Sequence, residues 1–156
     1  MDSVLLDTSF CIRLLKSNDE LHQNAKAYFQ YFLEQKIEMY LSSIVIAEYA
    51  VKDDPANLPL ESVKVIPFDY FDGKTAGEFH AMLLQHKEQV AHIDRNVIKD
   101  DCKLVAQIFN RKINGYITKD RKSFNQIIAP ITASQRFSIN LLDLEVPLKD
   151  FKGELF

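Results

Sequence analysis

Short apolar runs alternate with stretches of helical periodicity along the whole chain. Five segments predict strands: residues 4–7 (VLLD), 39–43 (MYLSS), 63–68 (VKVIPF), 115–118 (GYIT) and 137–142 (FSINLL). Between them, apolar residues recur every three or four positions and predict helices: from Thr8, then near 21–33, 44–51, 73–86 and 99–110, and after Asp120. Residues 87–98 predict a loop or a frayed helix end. Regular alternation of this kind predicts an α/β fold, a three-layer α/β/α sandwich around a mainly parallel sheet.

Length and composition narrow the class of protein. With 156 residues and no linker or repeat, the chain predicts a single domain over residues 1–156. Hydrophobic residues make up 47% and charged residues 26%, which excludes an intrinsically disordered chain. The net charge is -3, whereas many DNA-binding proteins carry an excess of basic residues. Any role with nucleic acid therefore has to come from local patches or from chemistry.

The predicted compartment is the cytoplasm. No apolar run approaches the roughly 20 residues that span a bilayer, and the N-terminus has no basic segment before its short apolar run. The two cysteines, Cys11 and Cys102, are too few for a disulfide framework and are interpreted as core residues of a protein in a reducing compartment.

Two acids follow predicted strands. Asp7 ends the first strand and Asp120 comes two residues after the fourth, at the carboxyl edge where open α/β sheets bind ligands. For both residues the alternative is structural, because an acid at a strand-to-helix turn can cap the helix.

Two further acids lie on predicted helices. Glu48 shares a face with apolar Ile44, Val45 and Val51. Its carboxylate therefore requires a partner, for which a buried Arg or Lys is the alternative to a functional site. Asp101 has Leu104 and Val105 three and four residues ahead, which directs it inward at the first turn of its helix. Asp100 is rotated by about 100° and is more simply a solvated acid.

If the four acids converge, their chemistry indicates a metal. Clustered carboxylates repel one another and are stabilised by divalent cations, and all-oxygen ligands favour Mg²⁺ or Mn²⁺. Such a centre suits phosphodiester hydrolysis, because the metal generates a hydroxide nucleophile and stabilises the charge on the reacting oxygens.

Four short motifs resemble those of the PIN-domain ribonucleases, above all the VapC-type toxins. They occur in the family's order: VLLDTSF with Asp7 and Thr8, SSIVIAEY with Glu48, DCKLVAQIF with Asp101, and YITKDRKSF with Thr118, Asp120 and Phe124. The resemblance implies a five-stranded parallel sheet in the order 3-2-1-4-5 and Mg²⁺- or Mn²⁺-dependent RNA cleavage. It further implies a homodimer neutralised by a small antitoxin protein.

The same resemblance assigns roles to residues. Asp7, Asp101 and Asp120 would bind metal, Glu48 would bind a second metal or its water, and Thr8 and Thr118 would support the acids. The alternative from another class is a catalytically silent PIN-like module that binds RNA or a partner protein. Cleavage that requires both the acids and a metal would exclude that alternative.

Overall fold

The structure, a computed structural model, describes the backbone of residues 1–155 and the side chains of residues 1–151. One sheet is formed by β1 (Ser3–Leu6), β2 (Glu38–Ser42), β3 (Lys64–Ile66), β4 (Gly115–Thr118) and β5 (Asn140–Asp143). Every neighbouring pair is parallel, and the order is β3-β2-β1-β4-β5. The predicted five-stranded sheet and its order are therefore confirmed, with β1 at the centre.

Helices connect and follow these strands. They are α1 (Thr8–Leu15), α2 (His22–Glu34), α3 (Ser43–Ala50), α4 (Tyr70–Leu84), α5 (Lys87–Val90), α6 (Arg95–Arg111), α7 (Arg121–Gln135) and α8 (Leu148–Leu155). In the described part of the chain, no helix combines the length and the apolar character needed to cross a membrane.

The chain divides into two compact units, which we call the sheet unit and the helical unit. The sheet unit holds residues 1–67, 114–119 and the chain from Asn140 onward, and the helical unit holds residues 68–113 and 120–139. All five strands belong to the sheet unit, whereas α4, α5, α6 and α7 belong to the helical unit. That residues 1–156 form a single domain stays a prediction.

The core of the sheet unit is built from its central strands and an aromatic cluster. Every residue of β1 and β4 is buried, as expected for strands that are paired along both edges. Phe10 of α1 and Tyr28 of α2 both lie close to Phe32, with ring centroids 6.5 Å and 6.2 Å away. This packing holds α1 at the end of β1, where Asp7 lies.

The core of the helical unit combines stacked rings with a buried ion pair. The Phe109 ring meets Phe79 at 5.5 Å and Phe137 at 5.2 Å between centroids, in edge-to-face geometry. The carboxylate of Asp72, 1% exposed, accepts hydrogen bonds from Arg111 Nη1 at 2.6 Å and from Asn110 Nδ2 at 3.0 Å. These contacts join α4 to α6.

Two predicted helix boundaries were wrong because polar caps extend the helices beyond their apolar stripes. α4 begins at Tyr70 rather than near Gly73, since Asp69 and Asp72 form a reciprocal capping box. α6 begins at Arg95 rather than near Lys99, because the Asp94 side chain accepts a hydrogen bond from the backbone N of Asn96. The predicted loop therefore contains α5 and the first turn of α6, and Asp101 lies in the second turn of its helix.

The ends of two strands also differ from prediction. β3 covers three residues within the predicted 63–68, and β5 begins at Asn140 rather than at Phe137. The apolar residue Phe137 precedes the strand, and its ring packs on Phe109 in the core of the helical unit. An alternating pattern does not distinguish a strand residue from a neighbouring residue that fills a helical core.

Candidate functional site

Asp7 stands at the carboxyl end of the central strand. Its backbone N donates to Ile117 O of β4 at 3.2 Å, and its carbonyl accepts from the backbone N of Phe10 and of Cys11, each at 3.1 Å. The residue occupies the N-cap position of α1, but its side chain makes no capping hydrogen bond. The structural interpretation of Asp7 as a capping carboxylate is therefore wrong.

Two hydroxyl groups hold the Asp7 carboxylate instead. Ser9 Oγ donates to Asp7 Oδ2 at 2.5 Å, and Thr118 Oγ1 donates to the same oxygen at 2.8 Å. Thr118 is 2% exposed at the end of β4, whereas Asp7 is half-buried. Both donors are neutral, so they orient the carboxylate without cancelling its charge, and both bind Oδ2, while no side chain of residues 1–151 donates to Oδ1.

Ser9 is the member of this cluster that the sequence interpretation missed. Its Oγ also accepts a hydrogen bond from the backbone N of Lys119 at 3.0 Å, which ties α1 to the end of β4. Arg13 Nη1 donates to the Ser9 carbonyl at 3.0 Å, one helical turn away. The available signal was position, because a residue two places after a strand-end acid lies in the first turn of the next helix and can reach back to that acid.

Arg13 itself is a structural residue. Its side chain is only 18% exposed, and its Nε lies 3.8 Å from Asp19 Oδ1. That distance is long for an ion pair, so the hydrogen bond to Ser9 is the firmer contact. The arginine braces α1 beneath Ser9.

Glu48 belongs to the same unit, and a hydroxyl holds it as well. Thr8 Oγ1 donates to Glu48 Oε2. α3, which carries Glu48, is anchored at its start by the buried Ser42, whose Oγ accepts from the backbone N of Ile44 at 3.1 Å. The predicted apolar stripe around Glu48 is only partial, because Val45 is buried while Val51 is 83% exposed. The consecutive residues Thr8 and Ser9 thus hold Glu48 and Asp7, the two candidate acids that lie in the sheet unit.

Both cysteines are buried and unbridged, as predicted. Burial, and after it the charge of Asp7, raises the pKa of Cys11 to about 12. Burial, and after it the charge of Asp101, raises the pKa of Cys102 to about 12. Neither thiol forms a thiolate near neutral pH, so neither is a nucleophile.

The other two predicted acids belong to the helical unit. Asp101 is half-buried on α6, and the neighbouring Asp100 forms an ion pair with Lys103, Nζ to Oδ1 3.1 Å. Asp100 therefore behaves as the surface acid that helical phase predicted. Asp120 is exposed at the N-cap of α7, where its carbonyl accepts from Phe124 N at 3.0 Å and its side chain makes no capping bond.

The donor set has the chemistry of a hard-cation site. Asp7 and Glu48 offer carboxylate oxygens oriented by hydroxyls, and oxygen ligands suit Mg²⁺ or Mn²⁺. Across the residues that the structure describes, no three His, Cys, Asp or Glu side chains are grouped so that they could hold a metal ion. The metal-binding roles of Asp7, Glu48, Asp101 and Asp120 stay predictions.

Comparison with known proteins gives structural but not sequence matches. No protein-family model matches the chain, and no curated protein matches it. A chain in the DNA-bound VapBC structure from Salmonella typhimurium superposes with a TM-score of 0.61 at 18% identity, covering 92% of this chain and 99% of the other. A chain in VapBC2 from Rickettsia felis, bound to a promoter DNA fragment, gives 0.59 at 18% identity over 90% and 98%.

A third structure is a toxin by itself. Mycobacterium tuberculosis VapC20, a toxin that cleaves the sarcin–ricin loop, gives a TM-score of 0.53 at 18% identity, covering 72% of this chain and 86% of the toxin. At 18% identity these matches show similarity of fold alone. The resemblance drawn from the four motifs is thus confirmed as a likeness of fold, and this chain has a PIN-like α/β architecture.

Proposed function

We propose that the protein is a metal-dependent endoribonuclease that hydrolyses RNA phosphodiester bonds and acts as the toxin of a toxin–antitoxin pair. The observation that carries the proposal is the state of Asp7. Its carboxylate lies at the carboxyl end of the central strand, is released from capping, and is oriented through one oxygen by Ser9 and Thr118. A carboxylate that served only the fold would be expected to cap the helix or pair with a cation.

The proposal assigns metal binding to the acids and their orientation to neighbouring hydroxyls. Asp7, Glu48, Asp101 and Asp120 would bind Mg²⁺ or Mn²⁺, which supplies an activated water and a counter-charge when bound. Ser9 and Thr118 hold Asp7 through Oδ2, and Oδ1 would be the oxygen that binds the metal. Thr8 restricts Glu48 in the same way. Orientation of ligands by such neighbours is worth about 10- to 100-fold in metal affinity or activity.

The test is cleavage of a total-RNA pool with Mn²⁺, compared with the same reaction under a chelator and with Asp7→Asn. We expect products only with metal and the intact acid. Asp101→Asn should also abolish cleavage, while Asp100→Asn is the matched control on the same helix, because Asp100 is paired with Lys103. Equal loss in both α6 variants would contradict the assignment of Asp101.

The competing function is a silent module that binds RNA or protein. It predicts that RNA binding, followed by a gel shift, persists without products in wild type and in Asp7→Asn at every metal concentration. Cleavage that survives Asp7→Asn would instead indicate a contaminating nuclease or a different active site. A comparison of wild type with Asp7→Asn therefore distinguishes the nuclease from the silent binding module.

The proposed partner is a small antitoxin protein, since two of the similar structures are VapBC complexes. In the sheet unit, α1 and α2 border an apolar groove of about 420 Å³ where Leu15 and Leu33 are 38% and 48% exposed. Such a groove can receive an apolar helix face.

Induced expression in bacteria should arrest growth with wild type and not with Asp7→Asn. Unimpaired growth with active wild-type enzyme would argue against a toxin.

We also propose that the protein works in the cytoplasm as a homodimer. Light scattering coupled to gel filtration should give about twice the 18.0 kDa chain mass. A mass equal to one chain across the working concentration range would contradict the dimer. It would leave the proposed chemistry unaffected.

A further inference from the structure

The helical unit contains a pocket that the proposed nuclease chemistry does not use. Its volume is about 480 Å³, and it is bordered by α4, α5 and the start of α6. The floor is apolar: Leu83 is 1% exposed, and Val90 and Ile98 are each 7% exposed. This volume lies within the range of small-molecule sites, about 300–1,000 Å³.

The rim of the pocket is basic. Lys87, Arg95 and Lys99 line it together with His80, and no acidic residue does. Among the described residues, none of these four side chains takes part in an ion pair. Arg95 and Lys99 lie one turn apart on α6, so they border the same edge of the pocket.

The nearby acids are occupied elsewhere or lie outside the lining. Asp94 caps α6 by accepting from Asn96 N at 2.7 Å, and Asp100 pairs with Lys103. Glu88 is exposed on α5 and does not border the pocket. The Asp94 carboxylate lies at the N-cap of α6 and offsets the helix dipole there, so the positive field of the rim comes from the three cations that line it. Among the described residues, the lining of the pocket thus carries three cations and no acid beside an apolar floor.

We propose that this pocket binds a small amphiphile with one anionic headgroup and an unbranched apolar tail. The tail would cover Leu83, Val90 and Ile98, and the headgroup would meet Lys87, Arg95 and Lys99. A nucleic acid does not match the apolar floor, and a neutral apolar ligand makes no contact that uses the three exposed cations of the rim. The inference is independent of RNA cleavage, since it uses none of the four proposed metal ligands.

The first experiment titrates the whole protein with decanoate by calorimetry, below the concentration at which decanoate forms micelles. Decan-1-ol and decyltrimethylammonium are the matched neutral and cationic probes, and acetate is the headgroup alone. We expect saturable binding of one decanoate, at least about tenfold tighter than the neutral probe, from two or three exposed charge contacts. Equal binding of all three decyl compounds, or no saturable binding of decanoate, would overturn the proposal.

The second experiment removes the charges and the space separately. Lys87→Gln with Lys99→Gln should weaken decanoate binding about tenfold. Lys74→Gln with Lys112→Gln removes the same charge from the same unit outside the pocket and should leave binding unchanged. Ala91→Trp fills the cavity and should abolish binding, with thermal unfolding of each variant as the check on folding.

Three results would contradict the pocket assignment. The first is decanoate binding that survives Ala91→Trp in a folded protein. The second is an equal loss of affinity in both pairs of lysine variants, which would indicate a general charge effect. The third is binding of a short helical Glu- and Leu-rich peptide at this rim without any binding of decanoate, which would assign the surface to a protein partner.

Discussion

Asp7 in the sheet unit and Asp72 in the helical unit are carboxylates at the start of a helix, and they are held in opposite ways. Asp72 is 1% exposed and meets the Arg111 guanidinium at 2.6 Å, with Asn110 and the backbone N of Asp69 completing its contacts. Asp7 is half-buried and receives only neutral hydroxyls, on one oxygen. The charge of Asp72 is compensated by the Arg111 guanidinium, whereas Asp7 is held by hydroxyls on Oδ2 alone.

The contrast between the two acids lies in what compensates their charge. Burial acts to raise the pKa of Asp72, but the hydrogen bonds from Arg111 and Asn110 outweigh it, so the net pKa lies below the ordinary value. Such an acid stabilises the fold and has no oxygen to offer a ligand. Asp7 accepts hydrogen bonds from two neutral hydroxyls instead of a cation, and its contribution is expected in binding rather than in stability.

The largest expected effect is on stability, at Asp72. Arg111→Met leaves a buried carboxylate without its cation and should lower the free energy of unfolding by about 3 kcal/mol. Urea unfolding followed by circular dichroism measures it. Lys103→Met is the matched control, since it breaks the exposed pair with Asp100 and should cost under about 1 kcal/mol. Equal costs in the two variants would show that the Arg111 pair contributes no more than a surface pair.

The next effect concerns the hydroxyls around Asp7. Thr118→Val keeps the shape of the side chain and removes the buried hydroxyl that donates to Asp7. It should reduce RNA cleavage about tenfold or more through poorer metal binding. Thr118→Ser keeps the hydroxyl and should restore most of the activity. The measurement is the Mn²⁺ concentration for half-maximal cleavage. A loss of rate without a change in metal dependence would mean that Thr118 acts on packing alone.

A smaller effect appears in the dependence of stability on pH. Because the folded pKa of Asp72 is lowered, its contribution is present above the ordinary value of 3.8 and is lost as pH falls through the lowered pKa. In Arg111→Met the buried acid is destabilising when charged, so protonation relieves it. The stability difference between wild type and Arg111→Met should therefore shrink between pH 7 and pH 3. A constant difference would contradict a charged Asp72.

The smallest expected effect is Asp7→Asn on stability. An amide oxygen still accepts from Ser9 and Thr118, and one negative charge is removed near Glu48, so the free energy of unfolding should be unchanged or rise by about 0.5 kcal/mol. Metal-free protein in urea is the condition to use. A fall of several kcal/mol would make Asp7 a structural acid like Asp72 and would remove the basis of the proposed site.

Several properties followed from the chain alone. The buried apolar runs at β1 and β4 and the parallel α/β class were predictable from the sequence, as were the positions of Asp7 and Thr118 at strand ends and of Glu48 on a helix, because hydrophobic period and strand ends are local features. Helical phase also separated Asp101 from Asp100, and Asp100 indeed pairs with Lys103. The strand order was implied only by the family resemblance.

The partners of each acid were decided by tertiary structure. Thr118 reaches Asp7 across 111 residues of sequence, and Arg111 reaches Asp72 across 39. Helical phase places Asp72 on the same stripe as the buried Ala76, Phe79 and Leu83, but that spacing does not reveal its cation partner Arg111. The sequence determines which residues carry charge and which turn or strand presents them. Only the order of the strands and the packing of the helices decide whether a given carboxylate meets a guanidinium, which neutralises it, or hydroxyls, which leave it charged and oriented.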